Sequence, residues 1–269
     1  MTLTTVVDRL RAAGCVFAEE EAALLEETAA SPGDLERMVG ERVAGRPLEV
    51  VLGWAEFCGL RIVVEAGVFV PRRRTGLMAR RAAALARPGS VVVDLCCGTG
   101  AVGRVVLDAL PSAEVYAADL DPAAVACARR NLPPDRVLEG DLYAALPPGL
   151  LGRVDVLACN APYVPTDAVA LMPPEAREHE HLVALDGGPD GLDVQRRVVG
   201  GAPEWLAPGG RLLVESSVAQ APVTAGLMQA AGLVPEVVHD EELGSTLVVG
   251  TLDTGGPVTG TGPAPGRPR

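Results

Sequence analysis

The sequence predicts an α/β protein: a doubly wound, mostly parallel seven-stranded sheet, with a small helical N-terminal domain joined to it by a β-hairpin. Three observations predict it. Short runs rich in Val, Leu and Ala alternate with amphipathic stretches from about residue 75 to residue 252, the pattern of repeated βαβ units. The first 45 residues instead carry helical periodicity. Between these regions, apolar and polar positions alternate on either side of a Cys58-Gly59 turn.

Taken in order, Val6, Val7 and Leu10, then Leu24 and Leu25, give apolar faces, and Ser31-Pro32-Gly33 breaks the chain before a third helix over 34–43. Residues 1–45 are therefore expected to form the helical domain. Residues 46–72 are expected to be the linker, with Leu48, Val50 and Leu52 facing Leu60, Ile62 and Val64 across the hairpin. The sheet domain is expected over 73–252. A helix over 75–86 is closed by Pro88-Gly89. Strands are expected over 91–95, 114–119, 137–139, 154–159, 211–216, 234–239 and 246–251, and helices over 102–110, 122–131, 192–206 and 219–231. Only residues 240–245 connect the last two strands, which predicts an antiparallel pair. Residues 253–269, rich in Gly, Pro and Thr, are expected to be disordered.

Composition narrows the chemistry. The formal charge is −12, and all 23 basic residues are arginine. Without lysine there is no Schiff-base residue, no pyridoxal-phosphate anchor and no P-loop lysine. So acidic a chain is poorly suited to tracking a nucleic-acid backbone. The one dense basic cluster, Arg72-Arg73-Arg74 with Arg80-Arg81, reads either as a solvated helix start or as a local nucleic-acid patch. The six cysteines have no CxxC spacing, so neither a zinc site nor a disulfide framework is expected. His179 and His181 do not share a helical face, and no metal site is expected there. No apolar run reaches the roughly 18 residues of a membrane span, and residues 1–15 lack the apolar core of a signal peptide. The expectation is a soluble, cytoplasmic protein.

The candidate cofactor site begins at the end of the first sheet strand. Asp94 is followed by Cys96, Cys97, Gly98, Thr99 and Gly100, which open the next helix. Glycines there let a ligand approach the backbone closely. The following strand ends in Asp119-Leu120, about twenty residues on, where a carboxylate can accept ribose hydroxyls. A third strand ends in Gly140-Asp141-Leu142, suited to flanking an adenine ring. Nicotinamide and flavin enzymes use a similar glycine turn. Here, however, Asp94 would repel a pyrophosphate and could engage the ammonium of a methionine moiety, which favours S-adenosylmethionine. Asp119 and Asp141 as plain turn caps remain the structural alternative.

The candidate reaction centre is Asn160-Ala161-Pro162-Tyr163, at the end of the 154–159 strand. The chain has only two asparagines, Asn131 and Asn160. A planar amide or aromatic amine nitrogen is a poor nucleophile because its lone pair is delocalised. A site helps by accepting both N–H groups, and Asn160 Oδ1 with the Ala161 carbonyl can do so. Pro162 stiffens the turn, and Tyr163 offers a wall for a planar group.

This segment resembles the N-P-P-Y motif of amino methyltransferases, with Ala161 in place of the first proline. Adenine-N6, guanine-N2 and glutamine-N5 enzymes all carry it. Gly45-Arg46-Pro47, Leu52-Gly53, Glu56-Phe57, Gly59-Leu60 and Val70-Pro71-Arg72 resemble the linker of protein-(glutamine-N5) methyltransferases of the release factor (HemK/PrmC) type. Ala184-Leu185-Asp186-Gly187-Gly188, Asp190-Gly191-Leu192, Pro208-Gly209-Gly210, Glu215 and Gln220 are similar too. The resemblance covers about residues 45–250. It implies S-adenosylmethionine as cofactor, with S-adenosylhomocysteine as product, and a Gly-Gly-Gln peptide chain release factor as protein partner. It also implies that Cys96, Cys97, Gly98, Thr99, Gly100 and Asp119 line the cofactor, that Asp141 and Leu142 flank adenine, and that residues 160–163 hold the glutamine amide. The runner-up is a nucleic-acid base methyltransferase; a third reading is a non-catalytic cofactor-binding regulator.

Three departures stand out. Pro71-Arg72-Arg73-Arg74-Thr75-Gly76 occupies the place of Pro-Arg-Pro-Glu/Asp-Thr-Glu, which reverses charge. The N-terminal helical region, which in the family helps to dock the release factor, is shorter. Ala161 replaces proline but keeps its carbonyl, so catalysis is expected to survive. Cys96 stands where many methyltransferases carry the first glycine; the expectation is that this position needs no positive φ and that the adjacent thiols fill space.

Overall fold

Three helices open the chain in the computed structural model, which describes residues 3–172, 177 and 179–253. They are α1 (Leu3–Ala12), α2 (Ala18–Thr28) and α3 (Pro32–Val43). The Ser31 hydroxyl caps α3 by accepting from Asp34 N at 3.2 Å, with Pro32 in the first turn. Val6, Leu10, Leu25, Met38 and Val39 close a core of their own. Beside it, Arg42 Nε donates to Glu21 Oε2 at 2.7 Å.

The expected strand at residues 48–52 is instead a short helix, α4 (Leu48–Leu52). The alternation Leu48-Val50-Leu52 also places Leu48, Val51 and Leu52 on one helical face. Val51 and Leu52 are the buried residues, and left-handed Gly53 (φ 77°) stops the helix by donating to Glu49 O. The hairpin is therefore shorter: β1 (Trp54–Phe57) pairs antiparallel with β2 (Leu60–Val63). Its two-residue turn puts both Cys58 (φ 53°) and Gly59 (φ 83°) in the left-handed region, as a type I′ turn requires.

After a 3₁₀ turn (Arg73–Thr75) comes α5 (Gly76–Leu85), then β3 (Val91–Leu95), α6 (Ala101–Ala109), β4 (Glu114–Asp119), α7 (Pro122–Ala128) and β5 (Val137–Glu139). The second half holds β6 (Val154–Cys159), α8 (Thr166–Val169), α9 (Asp193–Trp205), β7 (Leu206–Ser216), α10 (Ala221–Ala230), β8 (Leu233–Asp240) and β9 (Ser245–Leu252). The sheet order is β5-β4-β3-β6-β7-β9-β8. The first five strands are parallel and β9 is antiparallel to both neighbours. The expectation of a mostly parallel seven-stranded sheet with an antiparallel end is met, while β7 begins at Leu206 rather than at the expected residue 211.

Burial explains the strand pattern. β3 is buried on both faces, so all five of its residues are inside and it reads as an unbroken run. One face packs against α5, α6 and α7 through residues such as Met78, Val106 and Val125. The other packs against α9 and α10 through Val198, Trp205 and Met228. The chain reverses between β3 and β6, so their carboxyl ends flank a crevice where open α/β sheets bind ligands. Over it runs the segment that follows the hairpin; there His181 N donates to Gly67 O at 3.0 Å. Among the described residues, no helix is long and apolar enough to cross a membrane. The expectation of a disordered tail falls, from residue 254 onward, outside the described residues.

Candidate active site

The glycine turn is shaped by positive φ angles at Cys96 (53°), Gly98 (54°) and Gly100 (74°). The expectation for Cys96 is thus corrected: its position does require the left-handed conformation, at a cost of about 1–2 kcal/mol for a side chain. The turn must double back from β3 into α6 within a few residues, and an extended residue there would carry the chain past Asp119. Gly98 N donates to Asp119 Oδ2 at 2.8 Å, and Asp121 N to Asp119 Oδ1 at 3.0 Å. Asp119 therefore ties two turns together, and burial raises its pKa against the effect of those amides. At Gly100 a Cβ would come within 2.8 Å of Leu132 Cδ1, so glycine there also serves helix packing.

Asp94 lies at the cleft floor, 2 % exposed, and accepts Gly103 N at 3.0 Å. Desolvation raises its pKa to about 7, opposed by the Gly103 amide and assisted by the Asp119 charge. Burial likewise raises the Cys97 thiol, while the Cys159 thiol is raised by its hydrogen bond to Cys96 and by burial. At the rim, Leu120 is 54 % exposed, and Leu142 holds φ 50°, a second strained residue in the cleft wall. Asp141 Oδ2 accepts Arg197 Nη2 at 2.7 Å, a partner that sequence reading missed.

The other half of the cleft is the turn leaving β6. Asn160 Nδ2 donates to Thr75 Oγ1 at 3.4 Å, and among the described residues nothing donates to its Oδ1. Ala161 is buried. Tyr163 OH donates to Glu215 Oε1 at 3.3 Å, and Arg74 Nε donates to the same oxygen at 3.2 Å. Burial and the Glu215 charge raise the Tyr163 pKa. From below, Gln220 Nε2 donates to Tyr163 O at 3.0 Å. Gly187 and Gly191 pack so closely that an added Cβ would lie 2.7 Å from Pro162 O and 2.3 Å from Tyr163 O. The Gly-Gly and Asp-Gly pairs noted in the sequence thus cradle this turn.

These parts line one cleft that opens to solvent. Asp94, Cys96, Cys97, Gly98, Thr99, Asp119, Leu120, Asp141, Leu142 and residues 160–163 all line it. Phe69, Arg72, Arg74, Thr75 and Arg197 line it too and were not singled out as site residues from the sequence. Within the basic run Arg73, Arg74 and Arg80 are exposed, as a solvated helix start would be, yet two of its arginines find buried acidic partners. Arg72 Nη2 pairs with buried Glu180 Oε1 at 2.6 Å, and Arg74 pairs with buried Glu215.

A glycine turn and an acidic strand end on one side, with an Asn-Ala-Pro-Tyr turn on the other, define an S-adenosylmethionine-dependent methyltransferase. A family model described as "Methyltransferase small domain" matches residues 60–172. A release factor glutamine methyltransferase of Geobacter sulfurreducens is 36% identical over 229 residues, 84% of this chain and 78% of its own length. One from Cereibacter sphaeroides is 40% identical over 205 residues, 74% of this chain and 71% of its own. A methyltransferase structure from Pyrococcus furiosus shares the fold, with TM-score 0.53 and 16% identity, covering 73% of this chain and 90% of that one. The chain belongs to the release factor glutamine methyltransferase family.

Proposed function

We propose that the protein transfers the methyl group of S-adenosylmethionine to the side-chain amide nitrogen (N5) of a glutamine in a protein, the Gly-Gly-Gln loop of a peptide chain release factor. The observation that carries this reading is that Asn160 and the glycine turn open into one cleft, with the Asn160 amide oriented by Thr75. The residues fit the cofactor. Buried Asp94 suits an ammonium and half-buried Asp119 a pair of hydroxyls, and exposed Leu120 with strained Leu142 suits a flat apolar ring. When bound, the cofactor supplies an electrophilic methyl group on a sulfonium.

The chain's own residues do the rest. Cys96, Cys97, Gly98 and Thr99 form the wall beside Asp94, while Asp141, held by Arg197, closes the adenine end. Asn160 Oδ1 and the Ala161 carbonyl accept the two N–H groups of the glutamine amide. This aims its nitrogen and supports the positive charge that develops on it. Pro162 keeps the turn stiff, and Tyr163 stacks on the amide plane. No strong base is required, because the amide proton becomes acidic only after the methyl group has arrived. The helices between Leu3 and Val43 and the hairpin serve as the docking surface for the release factor, and the reaction is a cytoplasmic one.

Methyl-labelled S-adenosylmethionine, incubated with the protein and either a Gly-Gly-Gln release factor or total RNA and DNA, tests the reading. Label is expected in the release factor and lost when its glutamine is replaced. Label confined to nucleic acid would overturn the proposal. Asn160→Ala is expected to cut turnover by at least about 100-fold, the cost of losing one such aligned polar group, while the Kd for S-adenosylmethionine stays within a few fold.

A further inference from the structure

We infer that Arg74 is a positioning residue for the methyl acceptor, acting through the buried carboxylate of Glu215 on Tyr163; this rests on the function proposed above. Glu215 sits at the carboxyl end of β7, only 1 % exposed. A carboxylate in that position needs a countercharge, and Arg74 supplies the one ion pair Glu215 makes among the described residues. Oε2 is buried without a hydrogen-bond partner, so Oε1 carries the whole arrangement, accepting both Arg74 Nε and Tyr163 OH. The Arg74 guanidinium also lies 5.9 Å from the centre of the Tyr163 ring, which holds the ring by its face as well as by its hydroxyl. Desolvation works against the arginine charge, but Tyr163 and Glu215 together keep its pKa above the ordinary value.

The neighbouring residue completes the device. Thr75 Oγ1 receives Asn160 Nδ2, so consecutive positions of one 3₁₀ turn hold the first and last residues of the Asn160-Ala161-Pro162-Tyr163 turn. Arg74 is itself part of the cleft lining and its side chain is 43 % exposed. Its partners, Glu215 and the Tyr163 ring, belong to the acceptor half of the cleft. Removing Arg74 frees Tyr163 to turn while the cofactor half stays in place.

Steady-state kinetics with a Gly-Gly-Gln release factor, on Arg74→Gln, Glu215→Gln and the double variant, tests the inference. Arg74→Gln is expected to raise the acceptor KM and lower kcat/KM about tenfold, with the Kd for S-adenosylmethionine unchanged within about twofold. In the Glu215→Gln background, where no buried charge is left unpaired, the same replacement is expected to cost less than about twofold. Equal losses in both backgrounds would overturn the inference, and so would a loss that merely follows cofactor affinity and thermal midpoint. A second readout does not depend on the acceptor. The ring resonances of Tyr163 in tyrosine-labelled protein, assigned with Tyr163→Phe, are expected to move in Arg74→Gln and to return towards their original positions in the double variant. If no glutamine is methylated at all, the functional reading falls; unmoved Tyr163 resonances would sink the role of Arg74 on their own.

Discussion

Asp94 is a carboxylate that lines the cleft while only 2 % exposed. Folded Asp94 takes up its proton near pH 7, whereas an unfolded aspartate does so near 3.8. Between those values the folded state holds the extra proton, so the group's contribution to stability is fully present below about pH 4 and is lost as pH rises through 7. Compared with Asp94→Asn, the ligand-free protein is therefore expected to lose stability progressively from pH 4 to pH 7, read as a falling urea midpoint relative to the variant. A cationic ammonium beside the carboxylate favours the ionised form. Binding of S-adenosylmethionine near pH 7 should then release a proton, seen by calorimetry as a binding heat that changes with the ionisation enthalpy of the buffer. Asp94→Asn should abolish that dependence. A buffer-independent heat for the unaltered protein would remove Asp94 from the ammonium site.

At the scale of elements, the hairpin and the glycine turn are joined by Asn131. Its Oδ1 accepts Val63 N at 2.9 Å, and its Nδ2 donates to Val63 O at 3.0 Å and to Thr99 O at 2.9 Å. Asn131 is 6 % exposed, so Asn131→Ala removes the side-chain partner of Val63 N and Thr99 O, while Val63 O keeps Cys127 Sγ at 3.3 Å. The replacement is expected to cost about 2–4 kcal/mol in chemical denaturation and to weaken cofactor binding more than a surface substitution would. Much of the sheet was legible: β3 and β6 are largely buried runs, and they, like the partly exposed β4 and β5, start and stop where the residue pattern says. The helix α4 was not, because five apolar-rich residues satisfy period 2 and period 3.6 equally well. The cleft residues at strand ends were legible for the same reason as the strands. Glu180 and Glu215 were not legible as partners of Arg72 and Arg74, since pairing across so much chain leaves no local pattern.

The helical unit has an apolar interior of its own, separate from those on the two faces of the sheet. The core built on Leu10, Leu25 and Met38 contributes no residue to the cleft. Leu25→Ala should therefore cost about 2–5 kcal/mol in that unit, measured by thermal or urea unfolding, while the Kd for S-adenosylmethionine changes by less than about twofold. A large loss of cofactor affinity would mean that the helical unit supports the sheet after all. The ties that close the cleft span far more chain: 68 residues from Val63 to Asn131, 108 from Arg72 to Glu180 and 141 from Arg74 to Glu215. A ribosome delivers this protein from its N-terminus at a few residues per second. The helical unit can settle while the rest is still unwritten, but Arg74 waits until β7 has emerged before it meets its carboxylate. The acceptor wall is thus among the last parts to assemble, and a prematurely ended chain would carry the early helices without the means to hold a substrate.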